Sequence, residues 1–108
     1  MISANPMLGE NPLKIPKDRK FKKVEVAQAL RWGIIAELDA INFYEQLAEA
    51  IEDERVKKVF LNVAREEKEH VGEFLAMLLE YDEELKEMIA KGYKEVEEEV
   101  GVVPKSIP

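Results

Sequence analysis

Two stretches of the chain set residues at alternating intervals of four and three, and few folds accept that pattern. In the first, Leu30, Ile34, Glu37, Ile41, Tyr44, Ala48 and Ile51 follow one another without a break. In the second, Val56, Phe60, Val63, Glu67, His70, Phe74, Met77 and Tyr81 do the same. A mean interval of about 3.5 residues keeps one edge of an α-helix against one neighbour along its whole length. Each stretch therefore reads as a long helix packed lengthwise on another helix. No period-two alternation marks a strand, so the fold class is all-α.

Between the two seams lies Glu52-Asp53-Glu54, where Asp53 suits the N-cap of the next helix. The chain is expected to fold back there into an antiparallel hairpin, with a first helix from about Lys22 to Ile51 and a second from about Glu54 to Glu80. Gly33 inside the first helix costs about 1 kcal/mol relative to Ala and marks a close approach between helices. Asp82 is placed to cap a third, short helix, Glu83 to Lys91, closed by Gly92, with an acidic segment from Tyr93 to Val100 after it. Residues 1–21, with Pro6, Pro12 and Pro16, read as an extended arm. The helical unit spans residues 22–100, and residues 101–108 read as a tail or linker.

Composition narrows the class of function. A chain of 108 residues makes one domain. Having no cysteine, it builds no disulfide, zinc finger or thiolate cluster. A net charge of −7 argues against a nucleic-acid partner. No apolar run reaches the length that crosses a bilayer and no secretory signal opens the chain, so a soluble, cytoplasmic protein is expected.

Three seam positions are occupied by ionisable residues where Leu or Ile belongs: Glu37, Glu67 and His70, the last being the only histidine. Glu67 and His70 stand three apart, so both leave one face of a helix and reach one ion. Glu37 precedes Asp53 by sixteen residues, and the pair follows it by fourteen and seventeen. In a hairpin all three arrive at nearly one height, roughly 20–25 Å from the turn. An isolated Glu–His pair on a helix is most often a surface pair, and a lone histidine on an apolar face most often a satisfied core residue. Here two carboxylates share one level with no Lys or Arg in either seam, and burying each uncompensated costs several kcal/mol. A divalent cation offsets them better than one imidazolium can, and these ligand types hold one.

Di-metal carboxylate sites in four-helix bundles use a Glu from each of two helices and a Glu-x-x-His from each of the other two. This chain supplies half of that set. Apolar residues beside the seams, Ile35, Leu38, Phe43 and Leu47 on the first helix and Leu61, Ala64, Leu75 and Leu78 on the second, leave a lone hairpin wet. Both observations call for a two-fold dimer, a four-helix bundle with ions near its axis. Asp39, Glu45 and Glu49 are expected on the solvated face, with Asp39, beside the seam, the alternative outer cation site. Tyr44 reads as a core residue rather than a redox participant.

At Ala36-Glu37-Leu38-Asp39-Ala40-Ile41-Asn42-Phe43-Tyr44-Glu45-Gln46 and Ala64-Arg65-Glu66-Glu67-Lys68-Glu69-His70-Val71-Gly72-Glu73-Phe74 the sequence resembles the encapsulated ferritins. It is similar also to the ferritin-like part of archaeal encapsulin fusions. The resemblance implies a subunit that dimerises to complete a ferroxidase centre holding two iron ions per dimer, with Glu37, Glu67 and His70 as ligands. It implies a higher ring such as a decamer, and an encapsulin shell, in trans or fused, that encloses it in a nanocompartment. Tyr44 matches an aromatic near the centre. Positions that carry extra carboxylates in other members are Ala36 and Asp39 here. The implied reaction is oxidation of Fe(II) to Fe(III) by dioxygen or peroxide for iron storage or detoxification. The ligand types do not exclude manganese or zinc. Two rival readings stand beside it: a different di-metal redox protein, a peroxidase or manganese enzyme, and a structural helical dimer that serves assembly.

Overall fold

A computed structural model describes residues 15–102. Three helices follow one another: α1 (Lys23–Ala50), α2 (Glu54–Tyr81) and α3 (Glu83–Val100). Among the described residues there is no strand. The first two helices have 28 residues each, about 42 Å of length apiece, and pack against each other as an antiparallel hairpin. The three residues Ile51 to Asp53 make the turn. Asp53 caps α2 as expected, its carboxylate accepting the Arg55 N–H at 2.9 Å.

The helices approach closely where side chains are small. Ala48 on α1 and Ala64 on α2 are the most deeply covered residues, beside Ala27, Ile41 and Leu78. Gly33 marks the close approach foreseen for it: a Cβ there would stand 3.3 Å from each of three atoms at the tip of the Phe74 ring. Two ion pairs staple the hairpin from outside, Lys68 to Glu45 at 3.2 Å and Arg31 to Asp82 at 2.7 Å.

The α2 seam divides into two lines. Phe60, Glu67 and Phe74 turn toward α1, joined there by Ala64 and Leu78 from beside the seam, which are buried. Val56 and Met77, on the heptad line of Val63 and His70, are exposed, Met77 by 51%. On α1, Leu38 is 50% exposed and Ile35 is also open. The hairpin thus buries one edge of each helix and leaves an adjoining apolar strip uncovered, because two cylinders touch along one line only.

The third helix departs from expectation. It runs through Gly92 to Val100 and ends at Gly101, whose φ of 73° is the left-handed conformation that closes helices. Gly92 costs about 1 kcal/mol within a helix, too little to stop one whose apolar spacing continues through Tyr93, Val96 and Val100. Asp82 makes the corner: its N–H caps α2 on Leu78 O at 2.8 Å and its carboxylate accepts the Leu85 N–H at 2.9 Å. The Arg31 guanidinium, then that N–H, hold the Asp82 carboxyl below the usual carboxylate range. Beyond this corner α3 packs on neither long helix and approaches α1 nowhere.

The described residues ahead of α1, 15–22, are not helical. There Arg19 grips the Glu25 carboxylate with two N–H groups, at 2.8 and 3.1 Å. The Lys22 N–H donates to the same carboxylate at 2.7 Å, and together the two hold its carboxyl down to about 2. Of the expected arm and tail, residues 1–14 and 103–108 lie outside the described residues.

Candidate metal centre

Glu37 leaves the middle of α1, and Glu67 and His70 leave α2 one helical turn apart. The hairpin register sets them opposite one another. Gly33 faces Phe74, so four residues further along α1 and four back along α2 bring Glu37 to His70. His70 Nδ1 stands 3.4 Å from Glu37 Oε2 and 3.6 Å from Glu67 Oε2. One ligand atom from each of the three residues lies within 4.8 Å of the others, the one such His/Cys/Asp/Glu group among the described residues. This convergence is the one that counting residues from Asp53 anticipates.

The donor set and spacing suit a transition-metal ion. Metal–ligand distances near 2.1 Å place neighbouring ligand atoms about 3–4.2 Å apart, and the observed separations fall at that scale. The two carboxylates are mostly shielded, with side-chain exposures of 17% and 19%, while the His70 side chain is 41% exposed. Two glutamates against one imidazole leave net negative charge even when the imidazole is protonated. The cluster is therefore electrostatically incomplete toward cations, and open on the His70 side.

Asp39 corrects an expectation. It is buried rather than solvated, with 7% of its surface exposed. Glu45 and Glu49 are exposed, as expected. Tyr44 is half-buried in a tilted aromatic row, 5.4 Å from Phe43 and 5.9 Å from Phe60 between ring centroids, and its surroundings are those of a core residue. The partner of Gly33, the Phe74 ring one turn from His70, was not legible in the sequence; the signal was a glycine one turn before Glu37.

The Rubrerythrin family model matches residues 28–108. The crystal structure of the encapsulated ferritin domain from Pyrococcus furiosus superposes with a TM-score of 0.80 at 51% identity, covering 87% of this chain and 96% of that one. The chain belongs to the rubrerythrin family, among the encapsulated ferritins. It is 52% identical over 96 residues to the ferritin-like-encapsulin shell fusion protein of P. furiosus, covering 89% of this chain and 28% of that protein. It is 36% identical over 74 residues to the encapsulin nanocompartment cargo protein EncC of Myxococcus xanthus, covering 68% of this chain and 57% of that one. The chain thus spans little more than half of one of these curated relatives and about a quarter of the other. Ferritin-like domains of the rubrerythrin type bind di-iron, and this chain's cluster has the ligand types that such centres use. No described helix of this encapsulated ferritin is long and apolar enough to cross a membrane.

Proposed function

We propose that the chain is a ferroxidase: two copies pair through their open hairpin faces, and the paired Glu37, Glu67 and His70 sets hold two iron ions between them. The observation that carries this reading is the half-site. Each copy brings two carboxylates and one imidazole within reach of one ion, with the imidazole side exposed beside an uncovered apolar strip that includes Met77. A second copy related by a two-fold axis covers that strip and doubles the ligand set to the one known for di-metal carboxylate bundles.

Bound iron supplies one-electron chemistry, passing electrons from Fe(II) to dioxygen or peroxide and leaving Fe(III). Glu37 and Glu67 supply hard oxygen ligands that accept either oxidation state, and a carboxylate is able to bridge two ions. His70 supplies a neutral nitrogen and, on the exposed side, closes the site toward the partner copy. Three protein ligands per ion leave room for oxidant and water. No Lys or Arg occupies either seam, which favours entry of cations.

The similarity to a shell fusion and to an encapsulin cargo protein supports a place inside an encapsulin nanocompartment, with the shell storing the iron that this chain oxidises. A ring of dimers is the assembly proposed there. The deciding experiment is aerobic stopped-flow absorbance after Fe(II) addition, run beside the mass in solution with and without metal. Rapid Fe(III) formation by wild type, lost in E37A and H70A, is the expected result. Absence of protein-dependent Fe(II) oxidation overturns it.

A further inference from the structure

The open edge of α2 beside the metal cluster carries a methionine. Val56, Val63, His70 and Met77 follow one another at intervals of seven, so they share one edge of the helix, and Met77 stands two turns, about 10.5 Å, beyond His70. Met77 is 51% exposed and Val56 42%, and the His70 side chain is open on the same edge. In a single hairpin the thioether therefore meets water beside the imidazole.

That sulfur has two chemical characters. As a thioether on an unbranched chain it is apolar and adaptable, suited to filling a gap when a second surface covers it. It is also open to two-electron oxidation. Hydrogen peroxide converts it to a sulfoxide: an S–O bond forms, the O–O bond breaks, sulfur loses two electrons, and the second oxygen leaves with both protons as water. The product is polar and chiral, disrupts apolar interfaces, and is reversed by methionine sulfoxide reductases. Buried without a hydrogen-bond donor, its oxygen opposes any contact that covers it.

We propose that Met77 is a redox modification site, and that its oxidation by hydrogen peroxide keeps the open face of one hairpin from closing on a second copy. The inference rests on the pairing put forward above. Oxidation leaves Glu37, Glu67 and His70 together within each copy but withholds the second ligand set, so the centre stays half-built. Pairing in turn covers the sulfur, so unpaired copies respond and paired ones are shielded. Peroxide is also one of the two oxidants proposed for the iron reaction, so the centre and Met77 meet the same reagent.

Met88 provides the comparison. It has the same 51% exposure but lies on α3, beyond the Asp82 corner. Leucine has a volume close to that of methionine, so M7L/M88L keeps Met77 and M7L/M77L keeps Met88 without altering the packing. Each metal-free chain is treated with hydrogen peroxide, the reagent is removed, and peptide mass spectrometry gives the extent of sulfoxide formation. Zinc-dependent pairing is then followed by sedimentation over a range of protein concentration. Oxidised M7L/M88L is expected to need about tenfold more protein to pair, or more, and sulfoxide reductase treatment to restore it. Oxidised M7L/M77L pairs as the untreated chain does. Zinc added before peroxide slows Met77 oxidation about tenfold or more, as burial of the sulfur requires. Pairing that survives complete Met77 oxidation overturns the proposal and leaves the ferroxidase reading standing, as does a Met77 oxidation rate indifferent to zinc. A loss of helix by circular dichroism on oxidation overturns it too, since the effect is then unfolding. Untreated chains that do not pair with zinc overturn the shared centre itself, and this inference with it.

Discussion

His70 Nδ1 lies 3.4 Å from Glu37 Oε2, across the interface between two helices and thirty-three residues away in sequence. That contact ties the two helices of the hairpin at the level where the chain departs from an apolar seam. Its neighbours one turn away are Gly33 and Phe74, so the polar rung rests directly on an apolar one. Closeness of the backbones at Gly33 sets the reach from Glu37 to the α2 ligands.

Removing a ligand should separate metal binding from stability. Partners that merely orient a ligand change metal affinity about 10- to 100-fold when lost, so E37A, E67A or H70A should weaken Fe(II) or Zn(II) binding by at least about 100-fold in anaerobic calorimetry. The triple change E37L/E67L/H70L should leave the metal-free protein as stable as wild type or more so, since apolar replacement of a buried charge cluster is often neutral or stabilising. A metal-free protein strongly destabilised by that triple change would assign the cluster a structural role.

Metal loading should stabilise the assembled protein. A ligand at a hundred times its dissociation constant adds about 2.7 kcal/mol. Thermal melts with Zn(II), a redox-silent stand-in, should therefore shift upward, and the shift should vanish in H70A. With ions shared between copies, the shift should also grow with protein concentration. A shift independent of protein concentration would place the ion within one copy.

Gly33 should tolerate Ala but not larger residues. Alanine gains about 1 kcal/mol of helix propensity, which offsets the small retreat asked of the Phe74 ring tip at 3.3 Å. Gly33→Leu should destabilise by about 1–3 kcal/mol through overpacking and should also lower metal affinity by spreading the helices at the Glu37 level. Chemical denaturation reads the first effect and calorimetry the second. Pairing Gly33→Leu with Phe74→Ala should recover part of both.

The segment before α1 should loosen in acid. The Glu25 carboxyl is held at about 2 against an ordinary 4.5, by Arg19 first and then by the Lys22 N–H. A depressed carboxyl lends stability that is full above 4.5 and is lost as pH falls toward 2. Hydrogen exchange at Lys22 to Val26 should therefore accelerate over that range, and E25Q should flatten the dependence. Because both partners face water, high salt should weaken the effect.

How much of this was readable beforehand divides along a physical line. Helix periodicity, the Asp53 and Asp82 caps, and the three-residue offset from Glu67 to His70 all arise from neighbours along the chain. Even the meeting of Glu37 with the α2 pair follows from counting, once a short turn is granted, because helical rise is constant. The end of α3 lies beyond Gly92 for a local reason too: glycine within a helix is a modest penalty, and good helix formers on both sides carry the helix through it.

Other features were settled in three dimensions. Which line of α2 touches α1, and so which line stays open beside His70, depends on how two cylinders roll against each other, and a seam that looks uniform in sequence does not say. The burial of Asp39 is a property of the packed hairpin, and the placing of Phe74 over Gly33 depends on the register of a helix that begins twenty-one residues later. The outward course of α3 is set by the Asp82 corner and its Arg31 anchor, a pair separated by fifty-one residues. Local spacing determined which elements form and which residues are able to bind an ion; packing determined which faces those elements hide and which they leave for a partner.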